Sequence, residues 1–198
     1  GGSITYLRAD LHNPEVIMFE IPAEHKRVDF VFGFPVCSDL AVSGAAHFAN
    51  KRAINEDFQK LASSHAIAVA KFAGIYGCPY MIENPVSVLS TLWRKPNHTF
   101  HPFEYGGYIP ESEAKHPTWP EYIPDRDAYS KKTCLWTEGF KMPEKRPVPC
   151  ESFGSSTQHR KLGGKSAKTK NIRSATPRGF ANAVLQSNFP WLIIEGTR

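Results

Sequence analysis

The chain has 198 residues, of which 41% are hydrophobic and 22% charged, and its net charge is +5 at pH 7. This composition excludes a disordered chain and predicts one globular domain, with room for a small appendage. There is no apolar run of about 18 residues and no basic-then-apolar leader, which predicts a cytoplasmic protein.

The cysteines indicate neither a metal site nor a disulfide framework. Cys37, Cys78, Cys134 and Cys150 show no paired close spacing. Zinc ribbons and small disulfide-rich folds need such pairs. We therefore expect reduced thiols, a reducing compartment and no bound metal.

The first part of the chain predicts a βαβ unit. Strands are predicted at residues 4–10 and at the almost wholly apolar residues 28–34. Residues 55–76 carry apolar side chains at helical spacing and end before Gly77, where a helix would stop. Residues 78–82 form the next strand. A crossover of this kind makes the two flanking strands parallel.

Reactive side chains follow both of these strands. Cys37 comes after residues 28–34, and Glu83 and Asn84 come directly after residues 78–82. Because the carboxyl ends of parallel strands meet at one edge of a sheet, we expect Cys37 and Glu83 to emerge together. A thiol and a carboxylic acid would then face one substrate.

Residues 91–157 are rich in proline, aromatic and charged residues and have little periodicity. Long irregular stretches in compact proteins are usually functional or partly disordered. The aromatic residues alternate with Arg94, Lys95, Lys131 and Lys132, a combination that stacks on bases and contacts phosphates. A small lobe with little regular structure explains the same pattern equally well.

Residues 158–176 predict a basic loop. No acidic residue lies between Glu151 and Glu195, where seven cations occur: Arg160, Lys161, Lys165, Lys168, Lys170, Arg173 and Arg178. Like charges repel unless a polyanion neutralises them, which favours a phosphate-contacting arm over a solvated surface segment. After the loop, residues 177–186 predict a helix that packs on the sheet, and residues 189–194 predict a last strand.

Two motifs now suggest a family. Phe-Pro-Val-Cys-Ser at residues 34–38 and Glu-Asn-Pro at residues 83–85 resemble the catalytic proline-cysteine and Glu-Asn motifs of DNA cytosine-5 methyltransferases. The resemblance is to the compact bacteriophage and prophage form, and it covers nearly the whole chain. Supporting similarities lie at residues 39–44, 89–93, 132–136 and 173–181. The family has proline directly before the cysteine, whereas Val36 intervenes here.

The resemblance implies an α/β fold with a mostly parallel open sheet of the S-adenosylmethionine-dependent methyltransferase (Rossmann-like) type. It also implies a bacterial cell or a phage-infected host cell as the location. We accordingly divide the chain into a linker at 1–3, a catalytic core at 4–90, an aromatic and basic target-recognition-like region at 91–157, the basic loop at 158–176, and a helix and strand at 177–198 that return to the core.

In this family the cysteine thiolate adds to carbon-6 of cytosine, so that carbon-5 attacks the methyl group of S-adenosylmethionine. By resemblance Cys37 is the nucleophile, a protonated Glu83 donates to N3, and Asn84 orients the loop. Arg160 is the candidate cation that favours the thiolate. Because the target carbon is stacked inside double-stranded DNA, the base must be extruded. The implied DNA contacts are Ser38, Arg94, Lys95, Lys131, Lys132 and Arg173.

The implied contacts to S-adenosylmethionine are Asp10, Phe34 and Pro35, with Asp10 resembling the acid that receives the adenine amino group. The family's fold begins with a strand and a glycine-rich turn that hold the methionine part of the cofactor. Nothing before Ile4 can supply them. We therefore expect the chain to enter the fold at its third strand, with an incomplete cofactor site and a second chain supplying the missing strands.

Three functions remain open from the sequence. They are a fragment or subunit of a methyltransferase, a DNA-binding relative that has lost cofactor use, and a cysteine-dependent enzyme that modifies carbon-5 of a pyrimidine with another donor. A Cys–His hydrolase is a fourth, but neither His47 nor His65 has the spacing of a dyad. Taken alone, Cys37 is also compatible with a core residue and Asn84 with a turn former.

Overall fold

A computed structural model of the chain describes residues 27–150, 162 and 166–195. The chain divides into two compact units. The first comprises Gly1–His98 and Cys134–Phe140, and the second comprises Thr99–Thr133 and Lys141–Arg198. The strand predicted at residues 4–10, with Asp10, lies outside the described residues, as does Arg160.

The first unit contains a sheet and the helices that flank it. In chain order its elements are β1 (Val31–Gly33), a 3-10 helix (Val42–His47), α1 (Phe48–Ile54), α2 (Phe58–Tyr76), β2 (Tyr80–Pro85), α3 (Leu89–Leu92) and most of β4 (Thr133–Glu138). β3 (His98–Phe100) lies at the boundary between the units.

The four strands form one sheet in the order β1-β2-β4-β3. β1 and β2 are parallel, with Val31 opposite Tyr80 and Gly33 opposite Ile82, as the predicted βαβ unit requires. The fold is therefore mixed α/β, with an open sheet and helices. Within residues 91–157, where the sequence predicted irregular structure, β4 is a regular strand. Its first five residues are all buried, as expected for a short strand of β-branched, apolar and aromatic side chains.

The predicted crossover helix is confirmed as α2. It ends where Gly77 adopts the left-handed conformation, with φ of 60°, which glycine tolerates without strain. Small and β-branched side chains, including Ala66, Val69 and Ala73, pack against the sheet. The approach is close at Gly33, since a Cβ atom there would lie 2.7 Å from Val69 Cγ1.

The second unit contains short helices. Three 3-10 helices at Pro102–Tyr108, Glu111–Glu113 and Asp125–Asp127 precede α4 (Ala167–Ser174), α5 (Arg178–Asn188) and α6 (Pro190–Glu195). α4 lies inside the predicted basic loop and begins after Ser166, whose hydroxyl accepts from the Thr169 N–H. The last strand predicted at residues 189–194 is wrong. Pro190 opens a helix there, because its fixed φ and missing N–H suit a first helical position.

Aromatic rings build the core of the second unit. Phe180 of α5 stacks on Phe100 with ring centroids 3.9 Å apart, and Tyr105 meets Phe180 edge to face. Gly179 permits this approach, because a Cβ atom there would lie 2.4 Å from the Tyr105 carbonyl oxygen. The buried carboxylate of Asp127 accepts from the Gly179 N–H at 2.9 Å and fixes the start of α5. None of the helices in the described part of the chain is long and apolar enough to cross a membrane.

Candidate active site

Cys37 lies in a tight turn shortly after β1. Phe34, Pro35 and Val36 connect the strand to this turn, and the cysteine is exposed. The carbonyl oxygen of Cys37 accepts from the backbone N–H of Leu40 at 3.0 Å and of Ala41 at 2.8 Å. These two bonds close the turn around the residue that carries the thiol.

The end of β2 lies next to the segment that leads into this turn. Glu83 is half-buried and Asn84 is almost fully buried. The Asn84 Nδ2 donates to the carbonyl oxygen of Pro35 at 3.1 Å. Pro35 is only two residues before Cys37, so this bond joins the two motifs that the sequence singled out.

Backbone hydrogen bonds continue the contact beyond the strand ends. The Val42 N–H donates to the Val86 carbonyl at 3.0 Å, and the Val88 N–H donates to the Leu40 carbonyl at 2.9 Å. Ala41 also forms an isolated antiparallel bridge with Ser87. The segments after β1 and β2 therefore leave the same edge of the sheet, as predicted, and lie side by side. That the Cys37 thiol and the Glu83 carboxyl converge on one pocket stays a prediction.

Two buried polar atoms at this edge have no hydrogen-bond partner among the described residues. They are the Oδ1 of Asn84 and the Oγ of Ser87. Buried polar groups in folded proteins are nearly always hydrogen-bonded. Both atoms are closed off from solvent in this structure.

Apolar side chains are exposed at the same edge. Phe34 is 54% exposed, Val36 68% and Val86 39%. Pro35, a predicted cofactor contact like Phe34, is half-buried. An exposed aromatic ring at the carboxyl end of a strand is suited to a planar ligand, because open α/β sheets bind ligands outside these ends.

The predicted DNA contacts separate into two groups in the first unit. Ser38 follows Cys37 directly and is exposed. Arg94 is at the other end of the sheet, where its guanidinium donates to the hydroxyl of Tyr80, the first residue of β2, at 3.1 Å. It also donates to Asn97 at 2.6 Å and to the Thr137 carbonyl at 3.4 Å. Arg94 thus holds the sheet together away from the Cys37 turn.

Lys95 follows Arg94 and is exposed. In the second unit, the structure brings two more predicted DNA contacts together. The Lys131 Nζ donates to the Arg173 carbonyl at 2.8 Å, and the Arg173 guanidinium donates to the Leu162 carbonyl at 2.7 Å. Lys132 is exposed next to Lys131.

α4 adds to this basic surface. It carries Lys168, Lys170 and Arg173 and no acidic residue, and both lysines are exposed. The Lys168 ammonium lies 5.2 Å from the centre of the Tyr122 ring, a cation–π distance. We define Lys131, Lys132, Lys168, Lys170 and Arg173 as the basic surface. The sequence indicated the positive charge of this surface, and α4 holds three of its five residues on one helix.

Burial shifts the pKa values of several groups in the second unit. It lowers the pKa of His116 below 6.5, and the nearby Arg178 acts in the same direction. The Nδ1 of His116 accepts from the Trp119 N–H at 2.9 Å, which requires the neutral ring. Burial also raises the pKa of Asp127, against the opposing effects of the Gly179 N–H and Arg178. Both side chains form hydrogen bonds within the second unit.

Sequence reasoning missed one charged residue near Cys37. Lys51 of α1 contacts the residues directly after Cys37. No sequence pattern marks this contact, because the lysine lies 14 positions after the cysteine on a helix with no buried residue.

Within the described ranges, no group of three or more His, Cys, Asp or Glu side chains is placed to hold a metal ion.

Comparisons of the chain with protein-family models, with curated proteins and with solved structures found no match.

Proposed function

We propose that this protein is a DNA cytosine-5 methyltransferase-like protein, whole or as a subunit, in which Cys37 attacks an extruded cytosine. The observation that carries the proposal is the hydrogen bond from the buried Asn84 amide to the Pro35 carbonyl. It couples the segment leading to the thiol with the strand that presents Glu83. The mixed α/β sheet, with parallel β1 and β2, is compatible with a Rossmann-like methyltransferase core.

The proposed chemistry uses the two residues in complementary roles. The Cys37 sulfur bonds to carbon-6 of cytosine while Glu83 gives a proton to N3, which neutralises the charge that builds in the ring. Carbon-5 becomes nucleophilic and would take up the methyl group as the bond from that group to the donor's sulfonium sulfur breaks. A base then removes the proton on carbon-5, the bond from sulfur to carbon-6 breaks to release the Cys37 thiolate, and N3 returns its proton to Glu83. Asn84 keeps the attacking turn in register with Glu83.

S-adenosylmethionine would supply the methyl group as an electrophile. The described residues that fit it are Phe34, whose exposed ring suits an adenine, and Pro35 beside it. The proposal includes a second chain as the source of further cofactor-binding strands. Covalent addition to carbon-6 comes before methyl transfer, but it is reversible until carbon-5 is methylated, so the trapping assay requires S-adenosylmethionine.

The decisive experiment uses DNA that contains 5-fluorocytosine, with and without S-adenosylmethionine. Once carbon-5 has taken up a methyl group, its fluorine cannot leave as a proton does, so the adduct between Cys37 and carbon-6 is trapped and should accumulate only with S-adenosylmethionine present. We expect a covalent protein–DNA product that Cys37→Ser abolishes. Cys78→Ser is the matched control, since Cys78 is partly buried and donates to the Ala73 carbonyl in the helix-to-strand turn. An adduct that survives Cys37→Ser would overturn the proposal.

The basic surface favours DNA as the partner. Each phosphate that a lysine neutralises adds about 0.9 to the slope of log affinity against log salt. Lys168→Gln combined with Lys170→Gln should therefore reduce this slope by about 2. The control is Lys60→Gln combined with Lys71→Gln, two exposed lysines on α2. Equal slopes for both double variants would exclude Lys168 and Lys170 from contact with DNA phosphates.

A second candidate function rests on the same surface. A protein that binds DNA with a steep salt dependence but forms no adduct would be a DNA-binding relative that has lost methyl transfer. An adduct without methyl transfer in the presence of S-adenosylmethionine would favour a pyrimidine-modifying enzyme that uses another donor. The two assays together separate these three functions.

A further inference from the structure

One charged side chain outside the predicted site holds the turn that carries Cys37. The Lys51 Nζ donates to the Ser38 carbonyl at 2.9 Å and forms an ion pair with the Asp39 carboxylate at 2.5 Å. Ser38 and Asp39 are the two residues directly after Cys37. Both charged side chains are partly buried, 35% exposed for Lys51 and 40% for Asp39, so solvent screens the pair less than a fully exposed one.

Lys51 completes a set of contacts on both sides of the thiol. On the strand side, Asn84 holds the Pro35 carbonyl, two residues before Cys37. On the helix side, Lys51 holds the Ser38 carbonyl, one residue after it. Gln59 of α2 adds a weaker bond to the Asp39 carbonyl at 3.4 Å. The backbone is therefore fixed immediately before and after the cysteine.

We propose that Lys51 is a positioning residue for Cys37, which fixes the turn and offsets the negative charge of Asp39 beside the thiol. This inference rests on the proposed function, because it assigns Lys51 a part in the same nucleophilic attack. α1, which carries Lys51, has no buried residue of its own. Few packing contacts would therefore replace the ion pair if it were removed.

The charges around the turn predict a change in the pH dependence of Cys37 reactivity that a purely structural role of Lys51 would not produce. The turn itself carries Asp39, and the elements next to it carry Glu83 at the end of β2 and His47, Lys51 and Arg52 on the following helices. In Lys51→Met the Asp39 carboxylate loses its partner, and a negative charge near a thiol disfavours the thiolate. Asp39→Asn leaves the lysine and favours the thiolate. The two variants thus act in opposite directions.

The test measures how fast iodoacetamide alkylates Cys37 as a function of pH, followed by mass spectrometry of the peptide that contains it. We expect the midpoint of the profile to move up by about half a pH unit or more in Lys51→Met and down in Asp39→Asn. Lys60→Met removes an exposed lysine of α2 and is the control for net charge. Shifts of the same sign, or none in Lys51→Met beyond the control, would overturn the proposal.

A second measurement connects Lys51 to the reaction. At saturating 5-fluorocytosine DNA, Lys51→Met should form the adduct about 10- to 100-fold more slowly, because a displaced nucleophile loses its attack geometry. The DNA dissociation constant should change less than twofold, as in Lys60→Met. An unchanged adduct rate would contradict the positioning role. If the wild-type protein forms no adduct, the proposed function fails, whereas the alkylation profiles still decide the inference about Lys51.

Discussion

Replacing Asn84 tests the coupling between the two motifs. In Asn84→Ala the Pro35 carbonyl loses the donor that lies 3.1 Å away, inside a nearly fully buried site. A lost hydrogen bond with a buried acceptor left unsatisfied costs about 1–3 kcal/mol. Part of this is offset, because the Asn84 Oδ1 has no partner among the described residues and its own burial penalty disappears. We expect a net loss of about 2 kcal/mol.

The loss is measurable as a decrease in the midpoint of thermal unfolding. A loss of about 2 kcal/mol corresponds to about 4–8 °C for a chain of this length. We also expect adduct formation by Cys37 to slow by about 10- to 100-fold, since the turn is no longer tied to β2. Glu83 is unaltered in this variant, so the change reports on position rather than on loss of the acid.

The control is Asn182→Ala in the second unit. There too an asparagine Nδ2 donates to a backbone carbonyl at 3.1 Å, in this case that of Tyr108. The two variants remove the same kind of bond, and we expect comparable losses of stability. Only Asn84→Ala should slow the adduct at a temperature where both proteins are folded. Equal slowing in both variants, or none in Asn84→Ala, would refute the reasoning.

Two further predictions concern the second unit. In Gly179→Ala the new Cβ atom would lie 2.4 Å from the Tyr105 carbonyl oxygen. We therefore expect α5 to detach and the free energy of unfolding, measured in urea, to fall by about 3 kcal/mol. A loss near zero would contradict this packing. Because the pKa of His116 is lowered in the folded protein, its contribution to stability is complete above pH 6.5 and is lost as the pH falls through the lowered value. His116→Asn keeps an acceptor for the Trp119 N–H and should flatten the dependence of thermal stability on pH between about 7 and 5, whereas an unchanged dependence would show that another group titrates.

The sequence predicted the βαβ unit well because its signals are local. Apolar residues at helical spacing and Gly77 as the C-cap marked α2, and the apolar strand before Pro35 marked β1. The parallel arrangement then followed from the handedness of crossover connections. These elements bring the two motifs to one edge of the sheet.

The elements that were missed depend on tertiary context. β4 is buried along nearly its whole length, so its side chains do not alternate between apolar and polar, and periodicity gave no signal. Pro190 marks the start of α6, but the apolar run after it is short enough to resemble a strand. Ser166 did carry a local capping signal for α4, which the high density of lysines concealed.

The site was predictable only in part, because some of its contacts also depend on tertiary context. Cys37, Glu83 and Asn84 are placed by strand ends, which sequence patterns predict. Lys51 reaches the turn from a helix that follows it, and the contact depends on how that helix lies against the turn. Arg94 is the opposite example, because the sequence predicted it as a DNA contact. Its guanidinium instead donates to Tyr80 and Asn97, two partners that its positive charge alone does not indicate.

The most direct measurement of the central claim is the separation between residues 37 and 83. In Glu83→Cys, a short thiol-specific cross-linker such as dibromobimane should join Cys37 to the new cysteine, and peptide mass spectrometry would identify the product. Glu56→Cys, an exposed position just before α2, is the control. We predict an efficient 37-to-83 cross-link. Cross-linking no greater than in Glu56→Cys would contradict a shared pocket for the thiol and the carboxyl group.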